Sequence, residues 1–348
     1  MTNVTAAVDR YLDEHTDDLL ALVTELVSID SQIPPWGDER LVVARLDGIL
    51  AEMGVLDRRI VEPVRHRPSL IARIPGAGGG RTLLLCGHVD TKPVGDAADQ
   101  WRSDPFAATL IDGDLVGLGT TDMKGAVAAM LIAVRAVQAS GVVLRGDVVL
   151  GLLADEEAGA GAGARLIAPL LADAGIDAAL IGEPSGWTRD WQGIHLVSRG
   201  ILGAMVTVGG TQKHSGLSDR LPTVNAALKA AELMLDAASS LSFPSARVGA
   251  LEAAPTVTVG VTLSAGVSFG VTPGRATFGL EIRTVPGMTP RSVADGIESW
   301  LDGRRAADPE LEVSYTLAPG LEWLPWSVVE DDSPVVLDFC GTEDAGAP

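Results

Sequence analysis

Cysteine is scarce, with Cys86 and Cys340 the only two in 348 residues. Their separation makes neither a metal knuckle nor a disulfide framework, so a metal ion would have to be held by histidine and carboxylates. Histidine is scarce as well, with five in the chain and His214 the last of them. Basic residues are outnumbered, 26 Lys and Arg against 46 Asp and Glu, for a formal charge of −20. That balance argues against nucleic acid or an anionic membrane as a partner, because phosphate binding needs a basic face. No apolar run approaches membrane-spanning length, and the opening MTNVTAAVDRYLDEHTDDLL is acidic where a signal peptide is basic. A cytoplasmic protein is expected. Ser215 beside His214 is a poor arrangement for an activated nucleophile, which leaves a serine hydrolase without support. The glycine clusters at 75–82 and 159–163 have neither a P-loop lysine nor dinucleotide spacing, and they read as turns, the second opening a helix.

What is present is apolar: 47% of the residues are hydrophobic, enough for two domains with separate cores. Leu19, Leu20, Val23, Leu26 and Val27 recur at helical spacing and predict one amphipathic helix over residues 5–28, with a second from Glu39 to Met53. Short apolar runs then alternate with helical stretches: LLLC at 83–86, a helix from Lys124 to Ser140, VVLGLLA at 148–154, a helix from Gly161 to Ala174, and AALI at 178–181. That alternation predicts an α/β fold, a mostly parallel sheet with helices on both faces. From Ser198 the texture becomes alternating strands around a helix from Val224 to Ser240, which predicts an inserted α+β two-layer sandwich domain. Arg199 and Gly200 mark the junction. The expected division is 1–195 for the first part of a catalytic domain, 196–308 for the inserted lid and dimerisation domain, and 309–348 for the start of a segment returning to the first domain.

Ligands in open α/β sheets gather beyond the carboxyl ends of strands, so residues just after each apolar run are candidates for chemistry. LLLCG is followed by His88 and Asp90, GLGTTDMKG offers Asp122, VVLGLLAD ends in Asp155, Glu156 and Glu157, and AALIG ends in Glu183. A two-zinc centre needs nitrogen and oxygen ligands, one shared carboxylate and a nearby base, and these positions supply those types. Singly, each has a bland reading as a polar turn residue or a helix cap. Together, after successive strands, they point to a metal site.

GHVDTKPVGD, WRSDPF, GLGTTDMKGA, LLADEEAG and IGEPSG, followed by GGTQKHSG, PTVNAALKAAELM and GVTPGRATFGLEIRTVPG, stand in order along nearly the whole chain. In that order and spacing they resemble the zinc aminoacylase and carboxypeptidase family, which includes acetylornithine deacetylases, succinyl-diaminopimelate desuccinylases and glutamate-releasing carboxypeptidases. The resemblance implies zinc-dependent hydrolysis of an amide bond in N-acyl amino acids or small peptides, with zinc, or cobalt in its place, as the metal. It implies that His88 and Glu183 hold one zinc, that Asp122 bridges two, and that Glu157 holds the other. Asp90 would accept the second ring N–H of His88, and Glu156 would take a proton from the attacking water and deliver it to the leaving amine. His214, reaching a partner subunit's site in a homodimer, would stabilise the oxyanion, Arg283 would pair with the substrate carboxylate, and Asn225 is a further candidate for that pocket. Without the resemblance, His214 reads as a polar turn residue and Arg283 as half of a surface ion pair. His15 and His66 read as surface residues and His195 as a strand residue.

The family places one more histidine ligand near its C-terminus, whereas the last histidine here is His214. The expectation is a truncated chain, or one that has lost that ligand, holding one of the family's two zinc ions tightly. The alternative reading is an inactive or weakly active homologue with a dimerisation or binding role. The choice among acetylated, succinylated and peptide substrates is not legible in the residues.

Overall fold

The computed structural model describes residues 2–186, 193–248 and 251–340. Two compact units divide after Gly193. The first contains helices α1 (Thr2–Glu14), α2 (Thr16–Ser28) and α3 (Arg40–Glu52), strands β1 (Asp57–Val61), β2 (Ser69–Ile74) and β3 (Leu83–His88), and the hairpin β4 (Thr109–Ile111) and β5 (Asp114–Val116). Helix α4 (Lys124–Ala139), strand β6 (Val148–Leu153), helix α5 (Ala164–Ala172) and strand β7 (Ala178–Ile181) complete it. The sheet order is β1-β2-β6-β3-β7, parallel across β6, β3 and β7 and antiparallel at β1-β2 and β2-β6.

Alternation along the strands explains why both faces are covered. Leu70, Ala72, Leu85, Leu150 and Leu152 pack in one core with Leu26, Leu46 and Leu131 of α2, α3 and α4. Ile71, Leu84 and Val149 face the other way, onto Ile167 and Leu171 of α5. Gly163 is required where α5 begins, since a Cβ there would lie 1.7 Å from the Ala154 carbonyl oxygen. The single helix expected over 5–28 is two, broken at His15. The His15 ring stacks on Tyr11 at 3.7 Å, and Thr16 Oγ1 donates to the Leu12 carbonyl, so side chains compete locally with the backbone ladder.

The second unit runs through β8 (Val197–Ser198), β9 (Gly200–Gly209), β10 (Lys213–His214), α6 (Ala226–Ser240), β11 (Ala246–Val248), β12 (Leu251–Ala253), β13 (Thr256–Ala265) and β14 (Val271–Thr272). It continues with β15 (Arg275–Thr284), α7 (Pro290–Ala307), β16 (Val313–Leu317), β17 (Ser327–Val328) and α8 (Pro334–Cys340). Its antiparallel sheet, β13-β15-β9-β16, packs Leu202, Val206, Phe278 and Ile282 against Ala230 and Leu233 of α6 and Val293, Ile297 and Leu301 of α7. Helices over one face of an antiparallel sheet make the expected two-layer α+β arrangement.

The boundary drawn near residue 308 falls inside this unit. Strand β16, assigned from sequence to a returning segment, pairs instead with β9, Val313 opposite Val208, and β17 pairs with β8. Tyr315 and Val313 supply partly buried apolar surface to the second core, which is the physical reason the strand belongs there. Residues 341–348 of that segment lie outside the described residues. Among the described residues, no helix is long and apolar enough to cross a membrane.

Candidate metal and catalytic site

The parallel register sets the carboxyl ends of β6, β3 and β7 along one edge of the sheet, with His88 opposite Leu153 and Cys86 opposite Ile181. His88 ends β3, Glu183 lies just beyond β7, and Glu156 and Glu157 occupy a short helical turn just beyond β6. Asp122 arrives from the loop before α4; its peptide to Met123 is cis, and the Met123 side chain is fully buried. Glycine at 182 lets the chain after β7 pass close to α4, where a Cβ would sit 2.7 Å from Ala126 and 2.8 Å from Met130.

These elements bring His88, Asp122 and Glu183 together, with one donor atom from each lying within 4.8 Å of the others. His88 Nδ1 donates to the Asp90 backbone carbonyl at 2.9 Å, which turns Nε2 toward Asp122 Oδ1 at 2.8 Å and Glu183 Oε1 at 3.6 Å. Burial disfavours charge on His88, but its hydrogen bonds with Asp122 and Asp90 and the nearby Glu183 outweigh that and push it up to about 11. The bond from His88 holds the Asp122 carboxyl below its ordinary range. Burial raises Glu183 to about 7, against the pull of His88 and with added repulsion from Asp122, Glu156 and Glu157. Glu156 is raised by burial too, eased by His88 and reinforced by Glu157, Asp90 and Asp122. A buried imidazole whose Nε2 faces Asp122 and Glu183, with a proton there that a cation could replace, and a set of mutually repelling carboxylates fit a borderline divalent cation such as zinc in both donor type and charge.

Asp90 differs from the expectation in one respect. Its carbonyl, rather than its carboxylate, is the near acceptor for His88; the carboxylate Oδ1 lies 3.6 Å from Nδ1. The carboxylate instead accepts the amides of Glu156 at 3.2 Å and Glu157 at 3.0 Å, because it is buried under their turn and those N–H groups have no helical partner. Glu157, expected on a second metal, stands apart from the three-residue cluster and pairs with Lys92 at 3.1 Å. Lys92 Nζ also donates to the Glu157 carbonyl.

The remaining candidates belong to the second unit. His214, exposed on β10, accepts the Gly216 amide on Nδ1 at 3.1 Å, so its Nε2 carries the proton as a donor. Arg283 Nε pairs with Glu281 on the same strand at 2.8 Å. Asn225 is the N-cap of α6, its side-chain oxygen accepting from Ala227 at 3.0 Å and Leu228 at 3.3 Å, a structural task that commits that oxygen.

Sequence reasoning missed Lys92, although it stands two residues beyond Asp90, and it missed the ion-pair network of Glu39, Arg67 and Asp155. It also passed over Lys124, which is buried and donates to the Leu26 and Ile29 carbonyls at 2.9 and 2.8 Å. For Lys124 the available signal was a lysine at the head of an apolar helix.

A family model described as peptidase family M20/M25/M40 matches residues 84–338. A succinyl-diaminopimelate desuccinylase of Leptothrix cholodnii is 36% identical over 198 residues, 56% of this chain and 51% of that protein. A protein of the same description from Gluconacetobacter diazotrophicus is 32% identical over 308 residues, 87% of this chain and 73% of that one. The chain thus spans about half the length of the first of these relatives and 73% of the second. Among solved structures, an M20 family metallo-carboxypeptidase from Sulfolobus solfataricus superposes with a TM-score of 0.68 at 20% identity, covering 91% of this chain and 81% of that one.

Proposed function

Because the chain belongs to the peptidase family M20/M25/M40, we propose that it is a metal-dependent hydrolase of the amide bond in N-acyl amino acids or small peptides. The observation that carries this reading is the convergence of His88, Asp122 and Glu183 beside Glu156 at the carboxyl edge of the sheet. His88, Asp122 and Glu183 would hold one zinc ion, or cobalt in its place, and Asp122 with Glu157 would offer ligands to a second. The bound metal would supply Lewis-acid polarisation of the scissile carbonyl and the attacking water.

The protein groups do the rest. Glu156 Oε accepts the proton of the attacking water and returns it to the departing amine nitrogen. The Asp90 carboxylate, holding the amides of Glu156 and Glu157, fixes where those two side chains begin. His214 Nε2–H donates to the oxyanion, and Arg283 exchanges its Glu281 partner for the substrate carboxylate. The His214 role calls for a homodimer formed through the second unit, an insertion in the catalytic domain, and a cytoplasmic place in amino-acid metabolism suits the acylated substrate. The desuccinylase relatives favour N-succinyl and N-acetyl amino acids as first substrates to try.

The test is amine release from N-succinyl amino acids, N-acetyl amino acids and dipeptides by zinc-loaded protein. Release from one class, lost on chelation, is expected. Absence of release from all three at saturating zinc would overturn the reading.

A further inference from the structure

Asp155 joins β6 to the turn bearing Glu156 and Glu157 with φ 65° and ψ 15°, in the left-handed region where a non-glycine residue must be held by its surroundings. Its own groups are all engaged. The amide donates to Glu39 Oε1 at 3.2 Å, the carbonyl accepts from the Ala160 amide at 2.6 Å, and Oδ2 accepts from the Ala162 amide at 2.6 Å. Oδ1 meets Arg67 Nη1 at 2.7 Å, and Arg67 Nε reaches Glu39 Oε2 at 2.8 Å. Side-chain exposure is 11% for Arg67, 0% for Glu39 and 9% for Asp155.

Burying three charged groups is costly, and a buried ion pair alone is weak support for stability. The placement of this one is what matters. Glu39 accepts the amide of the residue at which the chain reverses after β6 and Arg67 binds that residue's carboxylate, while Asp90 grips the next two amides. Adjacent side chains on an extended strand diverge across the sheet, so Glu156 and Glu157 can share one edge only after such a reversal.

We propose that Arg67 is a positioning residue for the reaction: its guanidinium clamps Glu39 to Asp155 and thereby holds the turn that aims Glu156 at water and Glu157 at metal. This inference rests on the roles given to Glu156 and Glu157 above. Lysine cannot replace the guanidinium, because a single ammonium lacks the planar fork that serves two carboxylates at once.

The experiment compares Arg67→Lys and Arg67→Met with Arg73→Lys, which weakens a different arginine-carboxylate pair, Arg73 on β2 with Asp147 just before β6 at 2.5 Å. Amide hydrogen exchange of residues 155–162 and steady-state kinetics are read on the folded, zinc-loaded proteins. Expected for both Arg67 variants is faster exchange in the turn than in the other sheet segments, with kcat lowered by up to about a hundredfold and KM changed little, the pattern of a displaced catalytic group. Arg73→Lys keeps turn protection and kcat. If Arg67→Met does not fold, Arg67→Lys decides. Unchanged turn protection, or unchanged kcat per folded molecule despite a lower melting temperature, overturns the proposal. Should the unsubstituted protein release no amine, the reading of function fails, and the exchange data alone decide whether Arg67 holds the turn.

Discussion

The carboxylate of Asp90 accepts the backbone amide of Glu156 at 3.2 Å while the Asp90 carbonyl orients His88. One residue therefore ties the end of β3 to the turn after β6, and the imidazole and the proposed base are held in fixed relation through it. A change at Asp90 would disturb both together.

Glu156→Gln should lower turnover by about a hundredfold to ten-thousandfold, the usual contribution of a general base. Bound zinc should stay near the unsubstituted level, because Glu156 is outside the His88, Asp122 and Glu183 cluster. Asp122→Asn should lose both activity and metal. Elemental analysis after dialysis, beside kcat, checks the pair; equal zinc loss in the two variants would mean that the division of roles is wrong.

Gly216→Ala would place a Cβ 3.1 Å from His214 Cε1 and 3.2 Å from Nδ1, so the ring must shift and its bond with the 216 amide weakens. Nitrogen chemical shifts of His214 should report a protonated Nε2 and an unprotonated Nδ1 in the parent, and a mixture of tautomers in the variant. If His214 donates to the oxyanion, His214→Ala lowers kcat by about a hundredfold to a thousandfold, and Gly216→Ala gives a smaller loss.

Asp236 on α6 binds Trp300 Nε1 at 2.7 Å and Arg304, both on α7. Burial would raise its carboxyl, but hydrogen bonds from Trp300 and Ser240 and the Arg304 charge prevail and lower it. A folded-state value below the unfolded one gives stability that is present above the ordinary aspartate range and lost as pH falls through the folded value. Asp236→Asn should therefore cost about 1–2 kcal/mol at neutral pH, and the difference should shrink below about pH 3.8. Urea unfolding at several pH values reads this directly.

Strand β13 is an edge of the second sheet, and Val261 and Leu263 on it are exposed, as are Leu228 and Leu235 on α6. An apolar edge left open invites pairing with another strand, and a two-fold copy satisfies both edges at once. Sedimentation should show a dimer for the parent chain and a monomer for Leu263→Lys. A fully active monomeric parent would remove the role of His214 in a partner's site.

Helices α3, α4 and α5 and strands β3, β6 and β7 of the first unit were legible from their apolar runs, and LLLC, VVLGLLA and AALI lie within those strands or extend one residue past them, whereas β1, β2 and the β4-β5 hairpin were not read. The grouping of His88, Asp122 and Glu183 was legible because each lies at or within two residues of an element's end. Long-range polar geometry was not. That Asp90 would use its carbonyl on His88 and its carboxylate on the next turn depends on a backbone reversal at Asp155 that no local pattern encodes. Arg67 and Glu39 are separated from Asp155 by several elements, so their contact has no periodic signature. Strand β16 was misplaced because the alternation of Val313, Tyr315 and Leu317 marks a strand without saying which sheet it joins, and its pairing with β9 is set by the shared core rather than by proximity in sequence.

The pairing of β9 with β16 sets a schedule for synthesis. Among the described residues, the five strands of the first sheet have all been made once Ile181 is added, so that sheet can begin to pair while later residues are still being translated. The second cannot: β9, among its first strands, must wait for β16, which follows α7, before both of its edges are covered. At about 5–20 residues per second, the nascent chain spends several seconds with the Val206 and Val208 backbone open on one side, a window in which a chaperone or a neighbouring nascent chain can bind that edge first.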